Sequence, residues 1–186
     1  MEFFDLVDER GVPTGETASR SDAHRLGLRH RVAHVWVIRE NDGNAQVLLQ
    51  KRSRDKDSYP GLWDTSSAGH IPAGAEPLPS ALRELEEELG IRAEARELKY
   101  IGQFHIQYEE IFHGAPFRDN EVSWVYVYDR PVDIAALRLQ PEEVEAAAWF
   151  DLAEVRRGLR ENDPRFCVPE DGLNVLIRYL KQEETT

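Results

Sequence analysis

The chain has 186 residues, 41% of them hydrophobic and 31% charged, which is typical of a globular protein of one domain. A formal net charge of −12 argues against nucleic acids and membrane surfaces as partners, because both carry negative charge themselves. A transmembrane helix is excluded as well, since no apolar run approaches about 18 residues. The single cysteine, Cys167, excludes an internal disulfide, and the acidic first residues do not resemble a secretory signal, so we expect a cytoplasmic protein.

Strands and helices are predicted to follow one another along the chain. The β-rich runs lie at residues 3–7, 32–39, 45–51, 99–108, 121–128 and 147–150. The Asp42-Gly43 pair between the second and third runs is typical of a hairpin turn. Helices are predicted at residues 80–89, 151–160 and 172–182. This order favours an α/β sandwich with a mixed β-sheet, as one domain over residues 1–181 with a frayed tail at 182–186.

The predicted helix at residues 80–89 carries an apolar side and an acidic side. Its apolar side chains fall on one narrow arc: Leu82, Leu85 and Leu89. Its carboxylates fall on an adjacent arc: Glu84, Glu87 and Glu88. Carboxylates this close repel each other, and the C-terminal half of a helix disfavours negative charge. A hard divalent cation such as Mg²⁺ would explain them, although a solvated acidic face is an ordinary feature of a chain with 35 acidic residues.

The helix ends carry capping signals, as does the start of the next helix. Ser80 is suited to cap the first turn, and Gly90 is suited to the left-handed residue that follows the last turn. Asp151 and Glu154 have the spacing of a capping box at the start of the second helix.

The segment from Gly69 through residues 83–91 (RELEEELGI) resembles the signature of the Nudix hydrolase superfamily in register. One position departs, because Ala75 stands where the family has a glutamate. Either the neighbouring Glu76 takes over that role or the site is weakened. The resemblance implies an α/β/α sandwich with a mixed β-sheet and hydrolysis of a diphosphate joined to another group, X. It also implies Mg²⁺, or Mn²⁺, as the cofactor.

A narrower resemblance links the chain to the isopentenyl-diphosphate isomerase branch of that superfamily. It is carried by residues 48–53, 59–63, 69–70 and 120–122, and it covers roughly residues 3–155. The isomerases place a proton-transferring cysteine just before the Gly-His pair, where this chain has Ala68. We therefore expect a hydrolase, with an isomerase or a catalytically weak nucleotide-binding protein as the alternatives. The second metal site of the isomerases matches His24, His30, His70, Asp119 and Glu121.

The resemblance also implies roles for individual residues. The metal ligands it implies are Glu84, Glu87, Glu88, His70 and Glu121. The catalytic candidates are Arg83, Glu84, Glu87, Glu88, Glu142 and Glu143. Arg83 would orient a helix carboxylate, while the general base is either a helix glutamate or one of the two loop glutamates. Arg52 and Lys56 would bind the diphosphate of a small-molecule substrate, whose X group the sequence does not identify. The sequence is also compatible with a homodimer.

Overall fold

The architecture, taken from a computed structural model that describes residues 2–183, is a β-sheet with helices on both faces. The first four strands are β1 (Phe3–Val7), β2 (Pro13–Ser19), β3 (His30–Asn41) and β4 (Asn44–Arg52). The next five are β5 (Trp63–Asp64), β6 (Ser67–His70), β7 (Leu98–Phe112), β8 (Ala115–Tyr128) and β9 (Val144–Asp151). The helices are α1 (Arg20–Leu26), α2 (Pro77–Leu89), α3 (Leu152–Arg160) and α4 (Glu170–Glu183).

The main sheet is mixed, and β3 lies at its centre. Its path runs β5-β4-β3-β8-β7, with β6 paired to the first half of β3 and β9 paired to β4. The β3–β8 pair is parallel, whereas β3–β4 and β7–β8 are antiparallel. The predicted hairpin turn is confirmed, since β3 and β4 are joined through Asp42 and Gly43, both at positive φ.

Successive side chains of the central strands point to opposite faces of the sheet, so the hydrophobic core is divided between these two faces. Val35 and Val37 pack on the face that α2 covers, where Leu85 and Leu89 are fully buried. The intervening Trp36 packs on the opposite face, together with apolar residues of α3 and α4. The predicted α/β/α sandwich with a mixed sheet is therefore confirmed. No helix within residues 2–183 combines the length and the apolar content that a membrane span requires.

The N-terminal segment forms a two-stranded hairpin, β1–β2, followed by the short helix α1. The sequence did not predict β2, because its residues are mostly exposed and show no apolar alternation. Helix α1 begins after Ser19, whose hydroxyl accepts a hydrogen bond from the N–H of Asp22. It ends at Gly27, which has a φ of 67°.

One predicted cap is wrong, and another is confirmed in position but not in its hydrogen bond. Helix α2 begins at Pro77 rather than Ser80, because proline suits the first helical position, and the Ser80 hydroxyl instead donates to the carbonyl of Glu76. Asp151 stands at the N-cap of α3 as predicted, but its carboxylate accepts a hydrogen bond from the side-chain amide of Gln46 instead of from the first turn of the helix. Helix α4 continues to Glu183, two residues into the predicted frayed tail, and residues 184–186 lie outside the described part of the chain.

Candidate functional site

Helix α2 presents its acidic side to strand β6. Its apolar side packs into the core, which fixes the rotation of the helix and turns Glu88 inward. Glu88 is only 3% exposed, whereas the side chain of Glu87 is 51% exposed. The helix ends at Gly90, which has a φ of 72° and donates its N–H to the carbonyl of Glu86, as the sequence predicts.

Glu88 is a buried carboxylate with fixed hydrogen-bond partners. One of its oxygens accepts from the side-chain amide of Gln50 at 3.0 Å and from the N–H of Ala68 at 3.2 Å. Burial nevertheless raises the pKa of Glu88 to about 7, because the ionised form loses its hydration. A cation at this position would restore the ionised state.

Glu84 lies against Gly69, the first residue of the motif. A Cβ atom at Gly69 would stand 2.1 Å from the carboxyl carbon of Glu84, so only glycine leaves room for this carboxylate. Arg83 bonds Glu84 at 2.6 Å and the carbonyl of His70 at 3.2 Å, and it also approaches Glu87 at 3.4 Å. Burial, together with the charge of Glu88, raises the pKa of Glu84 to about 7.

A second cluster combines histidines and carboxylates from four elements: His24 (α1), His30 (β3), His70 (β6), and Asp119 and Glu121 (β8). Within residues 2–183, two groups of three have their potential ligand atoms within 4.8 Å of one another. One is His24, His30 and His70, and the other is His30, Asp119 and Glu121. The three helix glutamates do not form such a group. The fold therefore brings the histidines and carboxylates of this cluster closer together than the three glutamates of α2.

Four of the six ring nitrogens of this cluster are buried without hydrogen-bond partners in the described chain. These nitrogens are both of His24, Nε2 of His30 and Nε2 of His70. His30 donates from Nδ1 to the carbonyl of Leu28 at 2.8 Å, so Nε2 carries the lone pair when the ring is neutral. That nitrogen lies 3.8 Å from a carboxylate oxygen of Glu121. Two acceptors facing each other in a buried site suit a cation between them.

Electrostatics in the cluster keep the histidines neutral. Burial lowers the pKa of His24 to about 3, and burial also lowers the pKa of His30 and of His70. Burial and the neighbouring Asp119 raise the pKa of Glu121. Neutral imidazoles beside carboxylates form a mixed nitrogen and oxygen donor set, which fits Zn²⁺ or Mn²⁺ rather than Mg²⁺.

Phe4 of the N-terminal hairpin closes this cluster. It is fully buried, and its ring stacks on His30 at a centroid distance of 4.9 Å and on His70 at 4.5 Å. On the other side, Phe117 stacks on His24 at 4.3 Å. The aromatic rings therefore hold the imidazoles in place and exclude solvent from one side of the cluster.

A cavity of about 450 Å³ opens beside the cluster, and the predicted phosphate-binding cations line it. Arg52 does so while bound to other groups, since it contacts the carboxylate of Asp64 at 3.0 Å and both the carbonyl and the hydroxyl of Ser58. Lys56 forms a close ion pair with Glu143. Both cations are thus neutralised at the cavity wall by a partner that a phosphate would have to share or displace.

Sequence reasoning missed a third cation, Arg20, which begins helix α1. Its guanidinium donates to Nδ1 of His70 at 3.3 Å and pairs with Asp57 at 3.0 Å, at the cavity lining. The side chain of Asp57 is 63% exposed, so this pair is easily exchanged for another anion. No motif marks Arg20, because α1 itself was not predicted.

The two loop glutamates take different positions. Glu143 reaches Lys56 at the cavity, and its charge acts on Glu88. The exposed Glu142 contributes only its backbone carbonyl, which accepts from the hydroxyl of Ser53 at 2.8 Å. Cys167 also reaches the cavity, although it is distant in sequence, because residues 165–167 bond to the backbone of Trp63. Burial raises the pKa of its thiol.

Ala75, at the motif position where the family has a glutamate, lies among apolar side chains. Ala75 packs against the core beneath α2, and its carbonyl accepts a hydrogen bond from Arg31 at 3.0 Å. The neighbouring Glu76 is exposed at the start of α2. The loop is therefore held by backbone contacts where the family uses a glutamate.

Comparison with known proteins gives a consistent assignment. The family model described as NUDIX domain matches residues 28–167. Nudix hydrolase 3 of Arabidopsis thaliana is 42% identical over 172 residues, covering 91% of this chain but only 22% of the relative. An isopentenyl-diphosphate Delta-isomerase of Cereibacter sphaeroides is 34% identical over 145 residues, covering 78% of this chain and 76% of the relative.

The fold has solved counterparts as well. The crystal structure of DR0079 from Deinococcus radiodurans superposes with a TM-score of 0.71 at 18% identity, covering 94% of this chain and 97% of that one. Both the superfamily resemblance and the isomerase-branch resemblance are thus confirmed, and the chain belongs to the Nudix hydrolase family.

Proposed function

We propose that this protein is a divalent-metal-dependent hydrolase that cleaves the diphosphate bond of an X-linked diphosphate, with Mg²⁺ or Mn²⁺ as cofactor. The observation that carries the proposal is the pair of carboxylates Glu84 and Glu88 on one side of α2, with the side chain of Glu84 14% exposed and Glu88 3% exposed. Burial raises the pKa of each to about 7. Arg83 is the ion-pair partner of Glu84, and Glu88 accepts hydrogen bonds from neutral groups, so a divalent cation would remove the remaining cost of covering two negative charges. Family membership supports the same reaction class.

Each residue of the helix has a distinct part in this proposal. When bound, the divalent cation would stabilise charge on the phosphate oxygens and make water easier to deprotonate. Glu84 and Glu88 offer buried ligand oxygens, and the half-exposed Glu87 can swing toward the cation from the solvent side. Arg83 holds Glu84 in one orientation, because it also bonds the His70 carbonyl.

The proton acceptor is proposed to be a glutamate at the cavity. Glu143 is better placed than Glu142, because it reaches Lys56 while Glu142 is exposed. Glu87 on the helix is the other candidate, because its carboxylate is half-exposed and its ion-pair partner on α2 is Arg83 at 3.4 Å. A phosphate entering the cavity would compete for Lys56 and thereby release Glu143 to accept a proton.

The histidine–carboxylate cluster is proposed as a second metal site. His24, His30 and His70 with Asp119 and Glu121 would hold the ion, as the unpartnered ring nitrogens suggest. The isomerase remains the alternative function, and Ala68 argues against it because alanine cannot transfer a proton. The cellular location we propose is the cytoplasm, and the partner is a small-molecule diphosphate.

The test is a panel of diphosphates with Mg²⁺ or Mn²⁺, including nucleotide sugars, CoA, nucleoside triphosphates and prenyl diphosphates. Phosphate or phosphorylated-fragment release is measured for the wild type, Glu87→Gln and Glu86→Gln. Glu86 is the matched control, because it lies on the same helix but pairs with Arg92 at 2.7 Å, away from the site. We expect Glu87→Gln to lose about a hundredfold or more of kcat and Glu86→Gln to retain it. Equal rates in both variants would refute the proposal.

A further inference from the structure

The loop between β6 and α2, residues 71–76, connects the two groups of proposed metal ligands. His70 of the histidine–carboxylate cluster precedes this loop, and the helix with its carboxylates follows it. The two flanking elements are in close contact, since Gly69 leaves room for the Glu84 carboxylate and Arg83 bonds the carbonyl of His70 at 3.2 Å. A displacement of the loop would therefore shift ligands of both groups at once.

Asp5 of β1 holds this loop from outside the motif. One oxygen of its carboxylate accepts from the N–H of Gly74 at 2.8 Å and from the guanidinium of Arg31 at 2.8 Å. The same guanidinium nitrogen donates to the carbonyl of Ala75 at 3.0 Å. The carboxylate and the guanidinium thus fix two successive residues of the loop, at the position where the family has its glutamate.

The contact between Asp5 and the loop is ordered and sheltered from water. Backbone contacts align β1 with the loop, because the N–H of Ala73 donates to the carbonyl of Phe3 at 2.8 Å and Phe4 forms an antiparallel bridge with Pro72. The side chain of Arg31 is 6% exposed and that of Asp5 is 15% exposed. Hydrogen bonds between charged groups are strong in such a place, since little water competes for them.

The neighbouring carboxylate of the motif does not hold the loop in this way. Glu76 is exposed at the N-cap of α2, and its carboxylate accepts no capping hydrogen bond from the helix. Ala75 itself offers no polar side chain. The carboxylate that bonds the backbone of the loop comes instead from a strand about 70 residues earlier in the chain.

We propose that Asp5, acting through Arg31, is a positioning residue that takes the place of the glutamate missing at Ala75. Asp5 contacts neither the substrate nor the cation. It fixes the loop so that His70 and the carboxylates of α2 keep the spacing that binds a cation. This inference rests on the proposed function, because it assigns Asp5 to the metal sites of the proposed hydrolase.

The experiment returns the carboxylate to the position that the family uses. Asp5→Asn, Ala75→Glu and the double variant Asp5→Asn/Ala75→Glu are compared with the wild type. Mn²⁺ affinity is measured by calorimetry, and kcat/KM is measured with the diphosphate that the substrate panel identifies. Asparagine keeps an acceptor for the N–H of Gly74 but loses the charge that pairs with Arg31.

We expect Asp5→Asn to lower both Mn²⁺ affinity and kcat/KM about tenfold or more, and the double variant to recover most of each loss. The gain from Ala75→Glu should be larger in Asp5→Asn than in the wild type, because the two carboxylates serve the same loop. Asp8→Asn is the matched control and should change neither quantity. Asp8 lies on the same hairpin but bonds the N–H groups of Arg10 and Val12 in its own turn.

Thermal unfolding separates positioning from folding. A lower Tm in Asp5→Asn with the Mn²⁺ affinity of the wild type would show a merely structural role and overturn the inference. A double variant that binds Mn²⁺ no better than Asp5→Asn would overturn it as well. If Asp5→Asn does not fold, Arg31→Lys takes its place, since it keeps the charge beside Asp5 and loses the planar fork that also reaches the carbonyl of Ala75. Arg31→Lys should then lower Mn²⁺ affinity, and an unchanged affinity would overturn the inference.

Mn²⁺ binding also separates this inference from the proposed function. Absence of turnover with every diphosphate, while Asp5→Asn weakens Mn²⁺ binding and the double variant restores it, would refute the hydrolase and uphold the inference. Turnover in the wild type, with the same kcat/KM and Mn²⁺ affinity in Asp5→Asn, would overturn the inference alone.

Discussion

Replacing Glu88 with glutamine should stabilise the metal-free protein at neutral and higher pH. The folded protein holds the pKa of Glu88 at about 7, whereas the ordinary value is 4.5. Between these values the folded state binds more protons than the unfolded state, so stability falls as the pH rises from about 4.5 to about 7 and stays low above. A shift of this size corresponds to an upper limit of about 3 kcal/mol.

Glutamine removes this penalty without removing the hydrogen bonds. Its carbonyl oxygen can still accept from Gln50 and from the N–H of Ala68, as the carboxylate does. We expect Glu88→Gln to raise the free energy of unfolding by about 1–3 kcal/mol at pH 8 in EDTA and to change it little at pH 4.5. For a chain of this size, the gain at pH 8 corresponds to an increase in Tm of about 3–10 °C.

The assay is thermal or urea unfolding at both pH values, with Glu87→Gln as the control. The Glu87 side chain is 51% exposed, so its replacement should change the free energy of unfolding by less than about 0.5 kcal/mol. Mn²⁺ should stabilise Glu88→Gln less than the wild type at pH 8, because only the wild type offers the ionised carboxylate on α2, whereas the histidine–carboxylate cluster can bind the ion in both proteins. A variant that is no more stable than the wild type at pH 8, or equally stabilised at pH 4.5, would refute the reasoning.

Two further substitutions test the contacts around the carboxylates and histidines. Gly69→Ala would push aside only the end of the Glu84 side chain, so we expect a loss of about tenfold or more in kcat/KM with almost no change in Tm. A large drop in Tm with retained activity would contradict this account. Phe4→Leu removes the ring that stacks on His30 and His70. It should weaken Mn²⁺ binding, measured by calorimetry, about tenfold and lower the free energy of unfolding by less than about 1.5 kcal/mol. Unchanged Mn²⁺ affinity would show that the stacking does not position the rings.

The sequence predicted the elements whose pattern is local. The apolar arc of α2 and the glycine that ends it are contained within one turn or two, and both are found at the predicted positions. The start of α2 was misplaced because Pro77 and Ser80 both carry a start signal, and proline prevailed at the first turn. The side chain of Asp151 was misassigned because its partner, Gln46, lies on a neighbouring strand.

The site was harder to predict, because its partners are long-range. Glu88 was identified from its spacing, but its burial depends on how α2 packs against β6. Arg20 gave no signal, since an arginine in a segment without a recognised motif is indistinguishable from an ordinary surface residue until the cavity is known. The ion pairs that occupy Arg52 and Lys56 likewise join segments that only the folded sheet brings together.

The N-terminal segment lies outside the matched residues 28–167, yet it completes the site. Phe4 and His24 come from this segment, and Asp5 ties it down by accepting from Arg31 and from the N–H of Gly74, both at 2.8 Å. An ion held by His24 together with His30 would join the N-terminal segment to the central sheet. Detachment of the segment would then require release of the ion. Cleavage of this segment by an added protease should slow as Mn²⁺ is titrated in, which would make the N-terminal hairpin a reporter of metal occupancy.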